Sequence, residues 1–409
     1  IGVKTIYRYD SLKRADQITV RDTDPATPDR VTGIEFTSGN VSDQPNKVTD
    51  AEGNVTRSTY YADGNLWTAT EDSTTGNRTT TYYYDTRGMP QKTVYHDTKF
   101  EDFVYNIRGS LTSQTDRNGN TTTFLYNNRR QLTDTTQPGN RVSEQRYDDS
   151  GNLETVTDAE DNVTRYTYSA TGKLLTETIA YGTTHAETTT HYYDVRDWRD
   201  YTLDPRNQKT DFGYDAAGRV TSVKNPLLHE TIFDYDANGK RTLVRTPLGH
   251  ETETSYTPLG LEDNVIDPTN KVIDYGYNSF GERNALTNRR NKTYEFFYNK
   301  NGKPTITETP LGHPLTKTWN DRNLIGTIEE ASGQTTTYVY DDVKRVYTQT
   351  DPVGTITYGY DDNGNPETVT EGSTVLTREW DELNRPESYT NARNETIGYQ
   401  YYDNGLLWK

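Results

Sequence analysis

Six histidines, 61 acidic side chains and no cysteine are what this chain has to do chemistry with. Without a thiol there is no cysteine nucleophile, disulfide or thiolate metal site. His96, His185, His191, His229, His250 and His313 lack the spacing of metal ligands. His250 and His313 close two similar stretches, Pro247-Leu248-Gly249-His250 and Pro310-Leu311-Gly312-His313, and the six are read as turn residues. Asp361-Asp362-Asn363-Gly364-Asn365 and Asp148-Asp149-Ser150-Gly151 have the oxygen-rich look of calcium loops, but they lack the spaced ligand ladder that ends in glutamate. Hairpin turns explain them better. No Gly-x-Ser-x-Gly elbow, phosphate loop or paired-carboxylate signature stands out. The expectation is a protein that is not an enzyme, with no catalytic, metal or cofactor residues. An enzyme acting through acidic residues stays open as the least supported reading, and a carboxylate pair with perturbed pKa in a pocket would be its mark.

The aromatic side chains are the other chemical resource. There are 33 Tyr, 9 Phe and 5 Trp. Flat rings such as Trp67, Trp198, Trp319, Trp380 and Trp408 could stack on sugars, which opens a reading as a glycan or cell-surface binding module. Composition limits what must position these groups. The hydrophobic fraction is 30% and the net charge is -17, too little apolar material for several conventional cores. Yet Tyr and Thr are strand formers, so an ordered, thin β wall is expected in place of disorder. The acidic balance disfavours nucleic acid. No apolar run is long enough to span a membrane. The chain begins at Ile1 without a start methionine, consistent with a piece of something longer.

The dominant signal is internal repetition. Tyr84, Tyr105, Tyr126, Tyr147 and Tyr168 recur every 21 residues; after an insertion the series resumes as Tyr193, Tyr214, Tyr235, Tyr256, Tyr277, Tyr298, Trp319 and Tyr340. Tyr360, Trp380 and Tyr401 continue it at intervals of 20, 20 and 21, and Tyr60, Tyr9 and a degenerate Phe36 extend it toward the N-terminus. Two residues before most anchors stands a second aromatic (Phe103, Phe124, Tyr166, Phe212 and others), on the same face of a strand. Four residues after the anchor lies Gly88, Gly109, Gly151, Gly172, Gly218, Gly239, Gly260, Gly281, Gly302, Gly364 or Gly405, or else Asp197, Asn323 or Asn384, residues that tolerate positive φ. A returning strand follows, with Leu111, Leu132, Leu153, Leu174 or Val220, and then a second turn such as Asp116-Arg117-Asn118-Gly119. One period is one hairpin. The organisation predicted is degenerate repeats with insertions over 1–59 and a regular array over 60–409.

Tyr147-Asp148-Asp149-Ser150-Gly151-Asn152-Leu153 and Tyr214-Asp215-Ala216-Ala217-Gly218-Arg219-Val220, with Pro-x-Gly turns such as Asp351-Pro352-Val353-Gly354 between units, resemble the RHS/YD-repeat family almost end to end. The resemblance implies a sheet that spirals into a hollow cocoon, as in bacterial polymorphic toxins, insecticidal toxin-complex components and teneurins. In the toxin branch the shell encloses a C-terminal effector. The family's core end, with its Gly-Gly step and self-cleaving aspartates, is not found; Asp351 is followed by an ordinary repeat, Tyr358-Gly359-Tyr360-Asp361, and is a turn residue.

These readings give one set of expectations. The chain should be all-β, two antiparallel strands per unit, with helix confined to short turns. About 36 strands at roughly 4.8 Å would make a ribbon on the order of 170 Å, which must curl. All anchors should lie on one sheet face. The insertions near Ser73-Thr74-Thr75-Gly76 and Tyr181-Gly182-Thr183-Thr184-His185 should fall in turns. Asn54-Val55-Thr56, Asn120-Thr121-Thr122, Asn162-Val163-Thr164 and Asn394-Glu395-Thr396, though glycosylation-like, follow from the repeat consensus. The function expected is a non-catalytic shell segment of a secreted or surface bacterial protein, with a protein cargo or a cell-surface glycan or protein as partner. Either self-association through terminal strands or a curved sheet with an exposed edge near residues 396–409 is expected as well.

Overall fold

The computed structural model describes residues 3–22, 27–36 and 44–409. Its 37 strands form one antiparallel sheet, each strand bonded to the one before it and the one after it in sequence. Among the described residues the only helix is a 3-10 turn at Pro138–Asn140. Strands end on the anchors, as in Phe100–Tyr105, Thr121–Tyr126, Arg141–Tyr147 and Val163–Tyr168. Both insertions lie in turns, between Leu66–Glu71 and Arg78–Tyr84 and between Leu174–Ile179 and Glu187–Tyr193.

The register carries the anchors along a single face. Phe103 pairs with Gln114 and Gln114 with Thr122; Phe124 pairs with Thr135 and Thr135 with Ser143; Gln145 pairs with Val156 and Val156 with Thr164. Stepping by two along each strand, Tyr105, Tyr126, Tyr147 and Tyr168 share a face. The residues just before them, such as Val104 and Leu125, point the other way and are 56% and 61% exposed. No hydrophobic side chain among the described residues is fully buried. Cohesion comes from ladders. Threonines explain part of it, bonding hydroxyl to hydroxyl across strands: Thr70 to Thr79 at 2.8 Å, Thr318 to Thr327 at 2.8 Å and Thr287 to Thr293 at 2.9 Å.

Each hairpin is irregular at one end only. Tyr147 pairs with Leu153 but Arg146 with Thr155, so one extra residue bulges from the returning strand. The same shift recurs at Tyr105, Tyr126, Tyr168, Tyr214, Tyr235 and beyond, and the inter-unit turns lack it. A bulge bends its strand and adds twist. Repeated at one edge, it coils the ribbon.

The ribbon returns on itself. Arg30 meets Glu282 across a separation of 252 residues, and other contacts of this kind join residues 241 to 273 apart. Arg30 opens the third strand and Glu282 lies in the turn before the twenty-sixth, so one coil is 23 strands, a circumference of roughly 110 Å.

Candidate functional site

The YD turn is built around its acid. Asp215 Oδ1 accepts the backbone N–H groups of Ala217 at 2.9 Å and Arg219 at 3.0 Å, and Asp236, Asp341 and Asp381 do the same in their turns. The carboxylate thus satisfies two donors that the reversal would leave unpaired. Asn278, Asn299 and Asn320 replace it with an amide oxygen in the same role. These donors hold the carboxyls of Asp148, Asp215 and Asp194 below the usual range. The eleven turn glycines have φ between 72° and 98°, and Asp197, Asn323 and Asn384 take the same left-handed conformation.

The anchor ring crosses to the preceding hairpin. Tyr147 Oη donates to the carbonyl of Leu132 at 2.8 Å, Tyr235 to Val220 at 2.8 Å, Tyr298 to Arg283 at 2.7 Å and Tyr401 to Pro386 at 2.8 Å. Trp319 and Trp380 repeat the contact through Nε1–H, to Pro304 at 2.9 Å and Pro366 at 3.0 Å. The accepting residue opens a returning strand beyond the reach of the neighbouring ladder: the pairing after Leu132 begins only at Asp134 with Glu144. The ring therefore closes a backbone bond that the strands cannot make. Partial burial raises the phenol pKa of Tyr147, Tyr298 and Tyr360. Over several rings lies the residue after the previous unit's positive-φ turn residue, Gly218, Lys344 or Asn384: Arg219 on Tyr235 at 4.8 Å, Arg345 on Tyr360 at 4.8 Å, Arg385 on Tyr401 at 4.3 Å. Trp198 takes that place against Tyr214, ring centroids 5.4 Å apart. Arg14 stacks on Phe36 at 4.3 Å in the same arrangement.

The histidines split. His250 and His313 lie in turns, their N–H groups bonded to Thr246 and Thr309. His191, read as a turn residue, sits instead in the strand Glu187–Tyr193, two residues before an anchor, in the place of the second aromatic. It is 8% exposed, and its Nδ1 lies 3.0 Å from Thr202 Oγ1. Burial, with Arg199 nearby, lowers its pKa.

The second arrangement is the seam where successive coils meet, inter-unit turns of one against YD turns of the next. Arg30 grips Glu282 with two bonds, 2.8 and 2.7 Å, and stacks on Phe280 at 3.8 Å. Asp50 Oδ2 accepts from Asn301 at 2.7 Å and Asn323 at 2.9 Å. Asp321 takes the N–H of Thr74 at 2.8 Å, Arg78 bonds Asp342 at 3.0 Å, Lys99 bonds Asp362 at 2.6 Å and Arg141 bonds Glu382 at 2.9 Å. The insertion at 73–76 is thus a seam contact. A cavity of about 460 Å³ opens on this line, between Tyr82, Tyr95, Glu101, Arg117, Arg322 and Lys344. Its Arg322 and Lys344 are already bonded, to Glu71 and to the Asp341 and Asp342 carbonyls. Tyr95, half-buried and bonded to Glu101 at 2.8 Å, has its phenol pushed up to about 12.

Sequence reasoning missed the seam, although a signal exists. Two residues after the anchor stand Asp321, Asp342, Asp362, Glu382 and Asp403 in five consecutive units that dock. The two docking units before them hold Ser279 and Lys300, and units earlier still hold Ala62, Thr86, Ile107, Asn128, Asp149, Ala170, Val195, Ala216, Ala237 and Pro258.

A coil of tandem β-hairpins, stapled ring to carbonyl and zipped rim to rim, defines a repeat-built wall. A family model for the RHS repeat matches residues 147–184. Those residues include the unit that begins at Tyr147, one period of the array. No curated protein matches the sequence. Among solved structures, a TcdB2-TccC3-Cdc42 complex is similar over 98% of this chain and 24% of that one, with a TM-score of 0.58 and 12% identity. The Photorhabdus luminescens Tc holotoxin pore is similar over 100% of this chain and 25% of that one, with a TM-score of 0.55 and 12% identity. This likeness is one of fold. The chain spans about a quarter of the length of these structures.

Proposed function

We propose that this chain is a wall segment of a hollow RHS shell in a secreted or surface-exposed bacterial protein, non-catalytic, whose task is to enclose or present a protein cargo such as an effector carried on the same parent chain. The observation that carries the reading is the return of the ribbon after 23 strands and its side-chain closure at the seam, from Arg30–Glu282 to Asp158–Asn404. A binding surface alone needs no such closure. A coil zipped along its rims separates an inside from an outside. The anchors and turn residues are, in this reading, structural.

The test is protection. A protease-sensitive domain fused after Lys409 should be digested more slowly than the same domain free, and the difference should vanish when the seam is opened by Arg30→Ala with Arg141→Ala. Equal digestion of fused and free domain would overturn encapsulation. Glycan binding is the runner-up, favoured by Trp67 and Trp408, 46% and 60% exposed. Trp319 and Trp380 do not support it, because their indole N–H groups are spent on the backbone. Retention on a glycan array that is lost in a Trp67→Ala, Trp408→Ala variant would favour it instead.

A further inference from the structure

Asparagine followed by glycine occurs five times, at Asn118, Asn238, Asn301, Asn363 and Asn404. Four of the five lie on the seam, and each of these four donates its side-chain amide to a carboxylate of the other coil. Asn118 Nδ2 bonds Asp361 at 2.9 Å, Asn301 bonds Asp50 at 2.7 Å, Asn363 bonds Asp116 at 2.7 Å and Asn404 bonds Asp158 at 3.1 Å. Asn118 and Asn363 also clamp one another: each backbone N–H donates to the other's Oδ1, at 3.2 and 3.1 Å. Asn238, in an exposed turn away from the seam, has no such side-chain partner.

We propose that these four asparagines are latent modification sites, and that their deamidation is a reaction by which the seam opens irreversibly. The inference goes beyond the shell reading and does not depend on any cargo. The chemistry belongs to the dipeptide. The glycine nitrogen, unhindered by a Cβ, attacks the asparagine side-chain carbonyl carbon, and ammonia leaves with the glycine proton. Water then opens the resulting succinimide at either carbonyl, giving aspartate or isoaspartate. The balance is one water consumed and one ammonia released, with no oxidant or enzyme.

Two features of the fold control the reaction. In all five turns the glycine N–H is tied to the carbonyl three residues earlier, at 3.0 Å for Gly119, Gly239 and Gly302, 3.2 Å for Gly364 and 2.9 Å for Gly405. That brake is common to all of them, so it does not distinguish the seam. The cross-seam amide bond is the second brake, and only the four have it. Conversion of any of them replaces an N–H donor with a carboxylate that faces an existing carboxylate at hydrogen-bonding distance, and at Asn301, Asn363 and Asn404 both groups are partly withdrawn from water. Like charges so placed repel. An opened stretch of seam exposes the next asparagine, so the first conversion speeds the rest.

The turn itself accepts aspartate at this position, since Asp63 occupies it ahead of Gly64 in a unit outside the seam. An Asn363→Asp variant therefore tests the seam and not folding. Its readout is hydrogen exchange at the Asn118 backbone amide, which donates across the seam to Asn363. Loss of the bond should speed exchange there about tenfold or more, the scale of a charge-assisted hydrogen bond removed. Adding Asp116→Asn restores a donor opposite the new carboxylate, and asparagine already caps equivalent turns at Asn225, Asn288 and Asn391; the double variant should recover protection. In the unaltered chain aged in mildly alkaline buffer, peptide mass spectrometry should find Asn238 converted first and the four seam sites later, with Asn118 protection falling as they convert. Conversion of the seam sites as fast as Asn238, unchanged exchange in Asn363→Asp, or failure of Asp116→Asn to restore it would each overturn the proposal.

Discussion

Tyr147 Oη donates to the carbonyl of Leu132, 15 residues earlier, at 2.8 Å. The bond joins two hairpins where their ladder has already ended. It also explains which residues can be anchors: a ring with a donor at its far edge, either phenol or indole. Phenylalanine fills the −2 place in many units, where no donor is needed, and never the anchor place in the regular array.

Tyr147→Phe and Tyr235→Phe should therefore each cost about 1 kcal/mol, the net worth of a hydrogen bond plus part of the cost of an unsatisfied carbonyl. Tyr→Trp at the same positions should cost less, because Trp319 and Trp380 make the bond natively. Denaturant midpoints of the four variants check this; equal losses for Phe and Trp would mean the ring's volume matters and its donor does not.

Much of the wall was legible in the residues. A 21-residue period with turn formers at two fixed places leaves room only for two short strands, so the meander and the common anchor face follow from spacing. The seam did not follow. Which turns meet depends on how many hairpins complete a coil, and that number is set by the accumulated bend at each bulge, which no single unit encodes. His191 shows the same limit on a smaller scale: counting back two residues from Tyr193 places it in a strand, but its type pointed to a turn.

Gly218 and Gly249 separate two costs of adding a side chain. Both have positive φ, 81° and 79°, so an alanine at either should lose about 1 kcal/mol to strain. At Gly249 nothing lies within 4 Å of the new Cβ, whereas at Gly218 the Trp198 ring is 2.9 Å away and rests on Tyr214. Gly218→Ala should be the more destabilising, and Trp198 fluorescence should change in that variant alone.

The Arg30–Glu282 pair should be worth more than an ordinary surface ion pair. Its geometry is bidentate, both side chains are mostly covered, at 20% and 16% exposure, and the guanidinium also lies on Phe280. Arg30→Ala leaves the Glu282 carboxylate partly buried without its counter-charge, held only by Asn278, so it should weaken the seam by roughly 2 kcal/mol, well above the exposed pair Arg8–Asp16. A double-mutant cycle with Glu282→Gln measures the coupling, and a coupling near zero would show that the coils hold together without it.

Acid should open the molecule in two stages. His191 is the first. Burial and Arg199 depress its pKa from the ordinary 6.5. A base depressed in the folded state binds fewer protons there than in the unfolded chain, so its contribution is complete above 6.5 and is lost as pH falls from that value toward the folded one. The second stage belongs to the seam carboxylates. Burial alone would raise the pKa of Glu282, Asp50 and Asp321, but it is overcome by Arg30 and Asn278, by Asn323, Asn54 and Asn301, and by Thr74 and Ser73. Each therefore sits below its usual value. Acids depressed in the folded state stabilise fully above their unfolded pKa of about 4, and the stabilisation fades as pH drops through the folded values. Stability should thus be flat from neutrality to about pH 9, below the range in which the unfolded chain's tyrosines ionise, decline gently in mild acid and fall steeply in strong acid. His191→Gln should remove the gentle part and leave the steep one, while Arg30→Ala should shift the steep part toward higher pH. Hydrogen exchange at Thr74, whose backbone N–H donates to Asp321 across the seam, reports the second stage directly. If that amide stays protected in strong acid while the hairpins melt, the carboxylates are not what holds the coils together.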